Sequence, residues 1–400
     1  MEYAPRLLNF TDEERAREEL LGIGCDPEGA RRMAAKMVSR TVRLSGVSCR
    51  AANILKQEML ALGGDAAVAR GTVACSIPQT DVILIGHLKQ IRRLCSRLTR
   101  QPFGLPQLAS ELEAFLKESE TAPRLLKGRS CQLDLSEPVI MGILNVTPDS
   151  FSDGGSFATT EAAVERGLQL VAEGAGIIDI GGESTRPGSA GVSAAEELAR
   201  ILPVLQKLRE RTEIPISIDT TKSEVARQTL AAGANFINDI SGLAFDPAMA
   251  TVIAESGAGA FLMHTRGEPA TMQQNTEYSD LLGEVIAYLR QSLEMAAEAG
   301  IPRDHLAVDP GIGFGKSAEG NLALLNRLHE LKSLGCPILL GTSRKGFIGK
   351  LLQQPVAEQR LYGTLATVAL GVQQGAQIFR VHDVRPAWET ARLAGAICRA

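Results

Sequence analysis

Aromatic residues are scarce: they make up 4% of the 400 residues, with a single tryptophan. The core must therefore be built mainly from Ala, Val, Ile and Leu. Basic residues do not outnumber acidic ones, with 42 Lys and Arg against 46 Asp and Glu and a formal charge of -4. No global positive field is available for nonspecific binding of nucleic acid. No apolar run approaches the roughly 18 residues of a membrane span. Met1 to Phe10 also lacks the charged-then-apolar pattern of an export signal. The seven cysteines contain no C-x-x-C pair, and five precede Asp134 in no metal-ligand spacing. An odd number of thiols without an export signal predicts reduced cysteines and a cytoplasmic protein. The histidines show no zinc spacing, and no G-x-S-x-G is present. With 44% hydrophobic and 22% charged residues, disorder, collagen and coiled coil are excluded in favour of a globular chain.

The length predicts about two to three domains. Thr11-Asp12-Glu13-Glu14 has a capping-box pattern and predicts a short polar helix. A helical stretch over Arg31–Arg40 is followed by a strand at Thr41–Val47, a helix at Ala51–Leu62 and strands at Ala66–Ser76 and Thr80–Gly86. Helices at Leu88–Arg100 and Leu105–Lys117 complete the region. This order predicts a small α+β domain of ferredoxin-like type over residues 1–120. Arg92, Arg93, Arg97 and Arg100 fall on or near one helix and read as a solvated face rather than a binding patch. Polar residues with Pro123 and Gly128 predict a linker over 121–130.

From residue 131 to 400 the pattern becomes regular. Apolar runs at Val139–Val146, Ile177–Gly181, Pro215–Asp219, Phe236–Ile240, Ala260–Met263, Leu306–Asp309, Pro337–Gly341 and Ile378–Val381 alternate with helix-length segments. Glycine often stands between a helix and the next strand, as at Gly174, Gly257 and Gly375. Eight such units predict a TIM (β/α)8 barrel, with an open doubly wound sheet as the structural alternative.

In such a barrel the chemistry lies at the C-terminal strand ends. Polar residues stand there repeatedly: Asn145, then Asp179 and Arg186, Asp219, Asn238, His264, Asp309, Lys345, and Arg380 with His382. Singly, an Asp is often a helix cap and a His a structural residue. Jointly, Asn145, Arg186, Lys345, Arg380 and His382 suit a phosphate-bearing substrate. Asp219, Asn238 and Asp309 suit a flat heterocycle rich in N–H groups. Gly311-Ile-Gly-Phe-Gly-Lys316 has the tail of a P-loop, but Pro310 stands where the first glycine is needed.

Two long segments then carry a resemblance. Met141-Gly-Ile-Leu-Asn-Val-Thr-Pro-Asp-Ser-Phe-Ser-Asp-Gly-Gly155 and Gly174-Ala-Gly-Ile-Ile-Asp-Ile-Gly-Gly-Glu-Ser-Thr-Arg-Pro-Gly188 resemble the two signatures of the dihydropteroate synthase family. Ser217–Thr220, Asn238–Gly242, Leu262–Gly267, Asp309–Lys316, Gly341–Gly346 and Phe379–Val384 add further matches, one per strand, across residues 131–400. The resemblance implies condensation of 6-hydroxymethyl-7,8-dihydropterin diphosphate with 4-aminobenzoate to 7,8-dihydropteroate and pyrophosphate, in folate biosynthesis. It further implies Mg2+ as cofactor, a homodimer formed through the barrel, and no nucleic-acid or membrane partner.

By the same resemblance, Asp219, Asn238, Asp309 and Lys345 bind the pterin. Asn145, as metal ligand, joins Arg380 and His382 at the diphosphate, with Asp153 held by the metal. Thr185, Arg186, Pro187, Phe151 and Phe314 frame the aminobenzoate or the diphosphate. Cleavage of the carbon–oxygen bond to diphosphate before attack by the aryl amine is the implied route, needing no protein nucleophile. Gly346, Thr265 and Thr342 depart from the family's usual residues, which bears on sulfonamide affinity more than on activity. A corrinoid-dependent methyltransferase sharing the pterin acids is the competing enzyme, and a catalytically silent pterin-binding scaffold the competing non-enzyme.

Overall fold

Asp12 and Asp26 start the first two helices, α1 (Glu13–Gly22) and α2 (Pro27–Met37), each accepting backbone N–H groups of its first turn. The predicted first helix is present, but its cap is Asp12, whose carboxylate accepts from Arg15 N at 2.9 Å. The computed structural model describes residues 3–120, 123–146, 156–183, 191–268 and 271–400, without the side chains of 156–159. Its contacts divide the chain into two compact units, Met1–Thr121 and Ala122–Ala400.

In the first unit, β1 (Ser39–Ser48), α3 (Cys49–Ala61), β2 (Asp65–Val68), β3 (Gln79–His87), α4 (Leu88–Leu98) and α5 (Leu105–Glu120) follow in order. The sheet is antiparallel with order β1-β3-β2. That is the split β-α-β core of a ferredoxin-like sheet with three strands. The predicted strand Ala66–Ser76 is shorter. After Val68 the chain enters turns closed by Thr72 N to Ala69 O and Cys75 N to Thr72 O. Apolar residues of α3 and α4 at helical spacing, Leu55, Met59, Ile91, Leu94 and Leu98, pack with Val82 and Leu84 of β3. Arg92 is paired with Glu13 and Glu120, and Arg97 with Glu58. The arginine-rich face is thus partly neutralised from within the unit.

In the second unit, β4 (Leu125–Gly128) and β5 (Cys131–Asp134) form a hairpin. This corrects the predicted linker, which ran to Ser130. Leu126 and Leu133 alternate inward and join Met141, Ile177, Phe236, Phe261, Leu339 and Ile378 in a cluster at the N-terminal ends of the barrel strands. Arg129 N donates to Asn235 O, and Asn235 Nδ2 returns a bond to Arg129 O. At Gly128 a β-carbon would lie 2.5 Å from the Phe236 ring, so only glycine lets the hairpin seat this closely.

The barrel strands are β6 (Val139–Asn145), β7 (Ile177–Gly181), β8 (Ile216–Asp219), β9 (Phe236–Asp239), β10 (Gly259–Met263), β11 (Leu306–Asp309), β12 (Leu339–Leu340) and β13 (Ile378–Val381). Each falls where an apolar run predicted it. The eight strands are parallel, in the order β11-β10-β9-β8-β7-β6-β13-β12. A parallel bridge between Val308 and Ile338 joins the two ends of that order. The chain therefore closes into the expected barrel rather than an open sheet. Gly257 and Gly375 end their helices in the left-handed conformation, with φ of 67° and 98°. Because the eight strands are parallel, their C-terminal ends all face one rim.

Candidate active site

The rim is organised around Arg380 of β13. Its Nε donates to Asp179 Oδ2 at 2.6 Å and its Nη2 to Asp219 Oδ2 at 2.7 Å. Asn238 Nδ2 of β9 donates to the same Asp179 oxygen at 3.1 Å. Residues on β7, β8, β9 and β13 are thus tied by one charge network. Burial pushes the Asp219 carboxyl up to about 7, while the facing Arg380 pulls it down. Burial also raises Asp309, opposed by Lys345. Lys345 is lowered to about 8 by burial, and Asp309 draws it back up. Asp219 and Lys345 are thus both brought toward neutrality, and Asp309 is shifted upward, as expected where burial and charge partners are set against each other.

Asp309 leads the loop that forms the next part of the rim. Its Oδ1 accepts from Gly311 N at 2.7 Å. Gly311 has φ of 66°, and a β-carbon there would lie 1.9 Å from the His264 carbonyl oxygen, so glycine is obligatory. Lys316 turns inward beneath the loop. Its Nζ donates to Gly311 O and Phe314 O, each at 2.9 Å, and meets His264 Nδ1 at 2.8 Å. Burial holds both Lys316 and His264 well below their ordinary values. The glycine-rich segment is therefore a carbonyl-lined turn around a buried amine. Lys345 Nζ donates to Ile312 O and lies 4.7 Å from the Phe314 ring centroid.

Arg344 and Lys345 are neighbours with different tasks. Arg344 sits at φ 57°, left-handed for a side-chain-bearing residue. Its guanidinium forms a two-point pair with Asp383, at 3.0 and 2.7 Å. Lys345 faces Asp309. His382 shares a hydrogen with Ser343 Oγ through Nδ1 at 2.9 Å, and its backbone N donates to that oxygen at 3.1 Å. Thr265 and Thr342, both buried, bond to Gly267 O and to the Thr367 hydroxyl respectively. Those two departures are absorbed structurally.

Asn145 ends β6. Its Oδ1 would lie 3.7 Å from a β-carbon built on Gly181, which in turn would lie 3.8 Å from Asp219 Oδ2. A neutral amide oxygen at a strand end suits Mg2+, which takes few protein oxygens and completes its shell with phosphate and water. Among the described residues no group of three His, Cys, Asp or Glu side chains could hold a metal. Phe151, Asp153, Thr185, Arg186 and Pro187 lie outside the described residues. The structure brings together Asp219, Asn238, Asp309, Lys345 and Arg380, with Phe314 beside Lys345. Sequence reasoning named Asp179 among the polar residues of the strands but gave it no role. The signal for it was present: an Asp inside the otherwise apolar run Ile177–Gly181 must be buried.

A family model described as "Pterin binding enzyme" matches residues 141–382. The chain is 50% identical over 260 residues to the dihydropteroate synthase of Synechocystis sp., covering 65% of this chain and 90% of that protein. The chain belongs to the dihydropteroate synthase family. A solved structure of the family, Xanthomonas albilineans dihydropteroate synthase with 4-aminobenzoic acid, is 43% identical with a TM-score of 0.65, covering 70% of this chain and all of that one. The family match spans the acids, amide and cations described at the rim. A probable bifunctional folylpolyglutamate synthase/dihydropteroate synthase from Halobacterium salinarum is 41% identical over 369 residues, 92% of this chain but 44% of that protein. The likeness to that relative therefore extends into the unit Met1–Thr121.

Proposed function

We infer that the barrel condenses 6-hydroxymethyl-7,8-dihydropterin diphosphate with 4-aminobenzoate, giving 7,8-dihydropteroate and pyrophosphate. The observation that carries this reading is the single buried network of Asp219, Asn238 and Arg380, with Asp309 and Lys345 beside it. The carboxylates accept N–H groups of the pterin edge, and the amide fixes its register. Bound Mg2+, held by Asn145 together with diphosphate oxygens, would supply charge neutralisation for the leaving group. Arg380 lies on β13, which pairs with Asn145's strand β6, and His382 just past its end; their cationic and N–H groups suit the diphosphate. As the carbon–oxygen bond breaks, these cationic and N–H donors stabilise the departing oxygens. The aryl amine attacks the methylene carbon and loses its proton, and no protein nucleophile takes part.

Binding in order, diphosphate first, is the reading supported by the sequence setting of Phe151, Asp153, Thr185, Arg186 and Pro187, which fall in two Gly- and Ser-rich segments. Calorimetry with 4-aminobenzoate tests this. Heat should be weak with the protein alone and appear once Mg2+, pyrophosphate and a pterin are added; equal affinity in both conditions rejects it. A homodimer through the barrel is supported by exposed Tyr362, Leu370, Leu393 and Ile397 on the helices Leu361–Gln374 and Val384–Arg399. Among the described residues no helix is long and apolar enough to cross a membrane, and seven free thiols support a cytoplasmic setting. The direct test of the reaction is pyrophosphate release on mixing protein, Mg2+ and the two substrates. Omission of either substrate should abolish it.

A further inference from the structure

Asp179 is fully buried in the middle of the polar network, yet only one of its carboxylate oxygens is in use. Oδ2 accepts from Arg380 Nε and from Asn238 Nδ2. Oδ1 has no hydrogen-bond partner among the described residues. Ser217 stands beside it in register on β8, and its hydroxyl is likewise buried and unpartnered. Buried carboxylates that are incompletely bonded cost stability, and an apolar residue would serve folding better at this position. The position is therefore not explained by packing.

What Asp179 does is visible in its two partners. An Asn amide can present its N–H2 or its oxygen in either direction, and only its neighbours decide which. A carboxylate accepts and cannot donate, so it forces Asn238 to turn Nδ2 toward it. The amide oxygen is then left as an acceptor for another group. Arg380 is treated the same way. Its Nε–H and one Nη2–H are committed to Asp179 and Asp219, leaving its other N–H groups for a ligand.

We propose that Asp179 is a positioning residue which, from the barrel interior, sets the amide direction of Asn238 and the plane of Arg380 so that the pterin meets an acceptor edge of fixed polarity. The proposal rests on the reading of this rim as a pterin site. It differs from the direct ligand roles of Asp219, Asn238 and Asp309, because Asp179 acts through its neighbours.

The test is Asp179→Asn in the full chain, which keeps size and removes the fixed acceptor charge. Binding of 6-hydroxymethylpterin, followed by its fluorescence, should weaken by about tenfold, the scale of one charge-assisted hydrogen bond. The KM for the pterin diphosphate should rise with it, while the KM for 4-aminobenzoate at saturating diphosphate stays within about twofold. The acid limb of kcat/KM should also move to lower pH. Asp219 faces Arg380, Asp179, Glu197 and Asp239, and the variant removes one negative neighbour from that set. A merely structural role would lower the melting temperature and weaken both substrates alike, with the limb unmoved, and that result overturns the proposal. So does an unchanged pterin affinity. Should the Asn variant fail to fold, Asp179→Ser is read in the same way. Wild-type protein that binds pterin but releases no pyrophosphate would reject the reaction above and leave the binding arm of this test intact; wild-type protein that binds no pterin rejects both.

Discussion

The unit Met1–Thr121 packs Leu55, Met59, Leu84, Ile91 and Leu94 at its centre, and its buried polar side chains among the described residues are Thr72 and Thr80. The unit Ala122–Ala400 buries Asp179, Glu197, Asp219, Asp239, Asp309 and Lys316. Both have ordinary apolar cores. Among the described residues, the second unit is the one that takes carboxylates and a lysine out of water, at a cost that must be offset by partners. Several of those groups are tied by hydrogen bonds at the C-terminal rim. The buried charges of the second unit are gathered where the family's matching residues stand, and the first unit has no such gathering among its described residues.

Cutting the chain tests that separation most strongly. A chain starting at Pro138 lacks the hairpin Leu125–Asp134 and uncovers the cluster around Phe236 and Phe261. Leu126 and Leu133 alone remove apolar area worth about 2 kcal/mol each. This truncation should be insoluble or lose its cooperative melting transition. A chain starting at Pro123 keeps the hairpin, and it should be soluble with turnover within about twofold of the full chain. Aggregation of the Pro123 form would show that the two units fold as one and break the comparison.

Within the barrel, Lys345→Ala should lower turnover by at least about tenfold, the equivalent of roughly 1.4 kcal/mol, with an unchanged circular dichroism spectrum. Near-normal turnover would move Lys345 out of the site. The buried acids and lysine also fix a pH profile. Asp219 must lose its proton to accept an N–H, so kcat/KM for the pterin diphosphate should fall as pH drops through about 7. Lys345 must keep its proton, so the same parameter should fall as pH rises through about 8. A flat profile between pH 6 and 9 would remove both groups from the rate law. The smallest effect is expected at Gly346, where a β-carbon meets nothing within 4 Å. Gly346→Ser should leave stability within about 1 kcal/mol and lower the KM for 4-aminobenzoate by only a fewfold.

Much of the barrel was legible in the sequence because both of its periods are local. Apolar runs such as Phe236–Ile240 cannot be surface helices, and glycines such as Gly257 stop the helices between them. Asp219 and Asp309 were legible because they end those runs, Asn238 because it interrupts one, and Lys345 because it closely follows one. Asp179 was harder to read, since its importance lies in contacts to residues 59 and 201 positions away. The hairpin was missed for a related reason. Arg124 to Ser130 is polar enough for a linker, and only the distant Phe236 makes Leu126 and Gly128 structural. Lys345 was singled out over Arg344 by the family resemblance, whereas the physical reason that separates them, the pairing of Arg344 with Asp383, lies 39 residues away.

The hairpin that seals the base also sets a timetable for synthesis. It leaves the ribosome ahead of every barrel strand, yet its cluster includes Leu339 and Ile378. Pro123 O, just before it, is held by Gln377, 254 residues later. The first unit can finish folding while the barrel is still being made. The hairpin's apolar side, by contrast, stays uncovered until almost the whole chain has emerged. That interval is when the nascent chain is most open to chaperones and to aggregation.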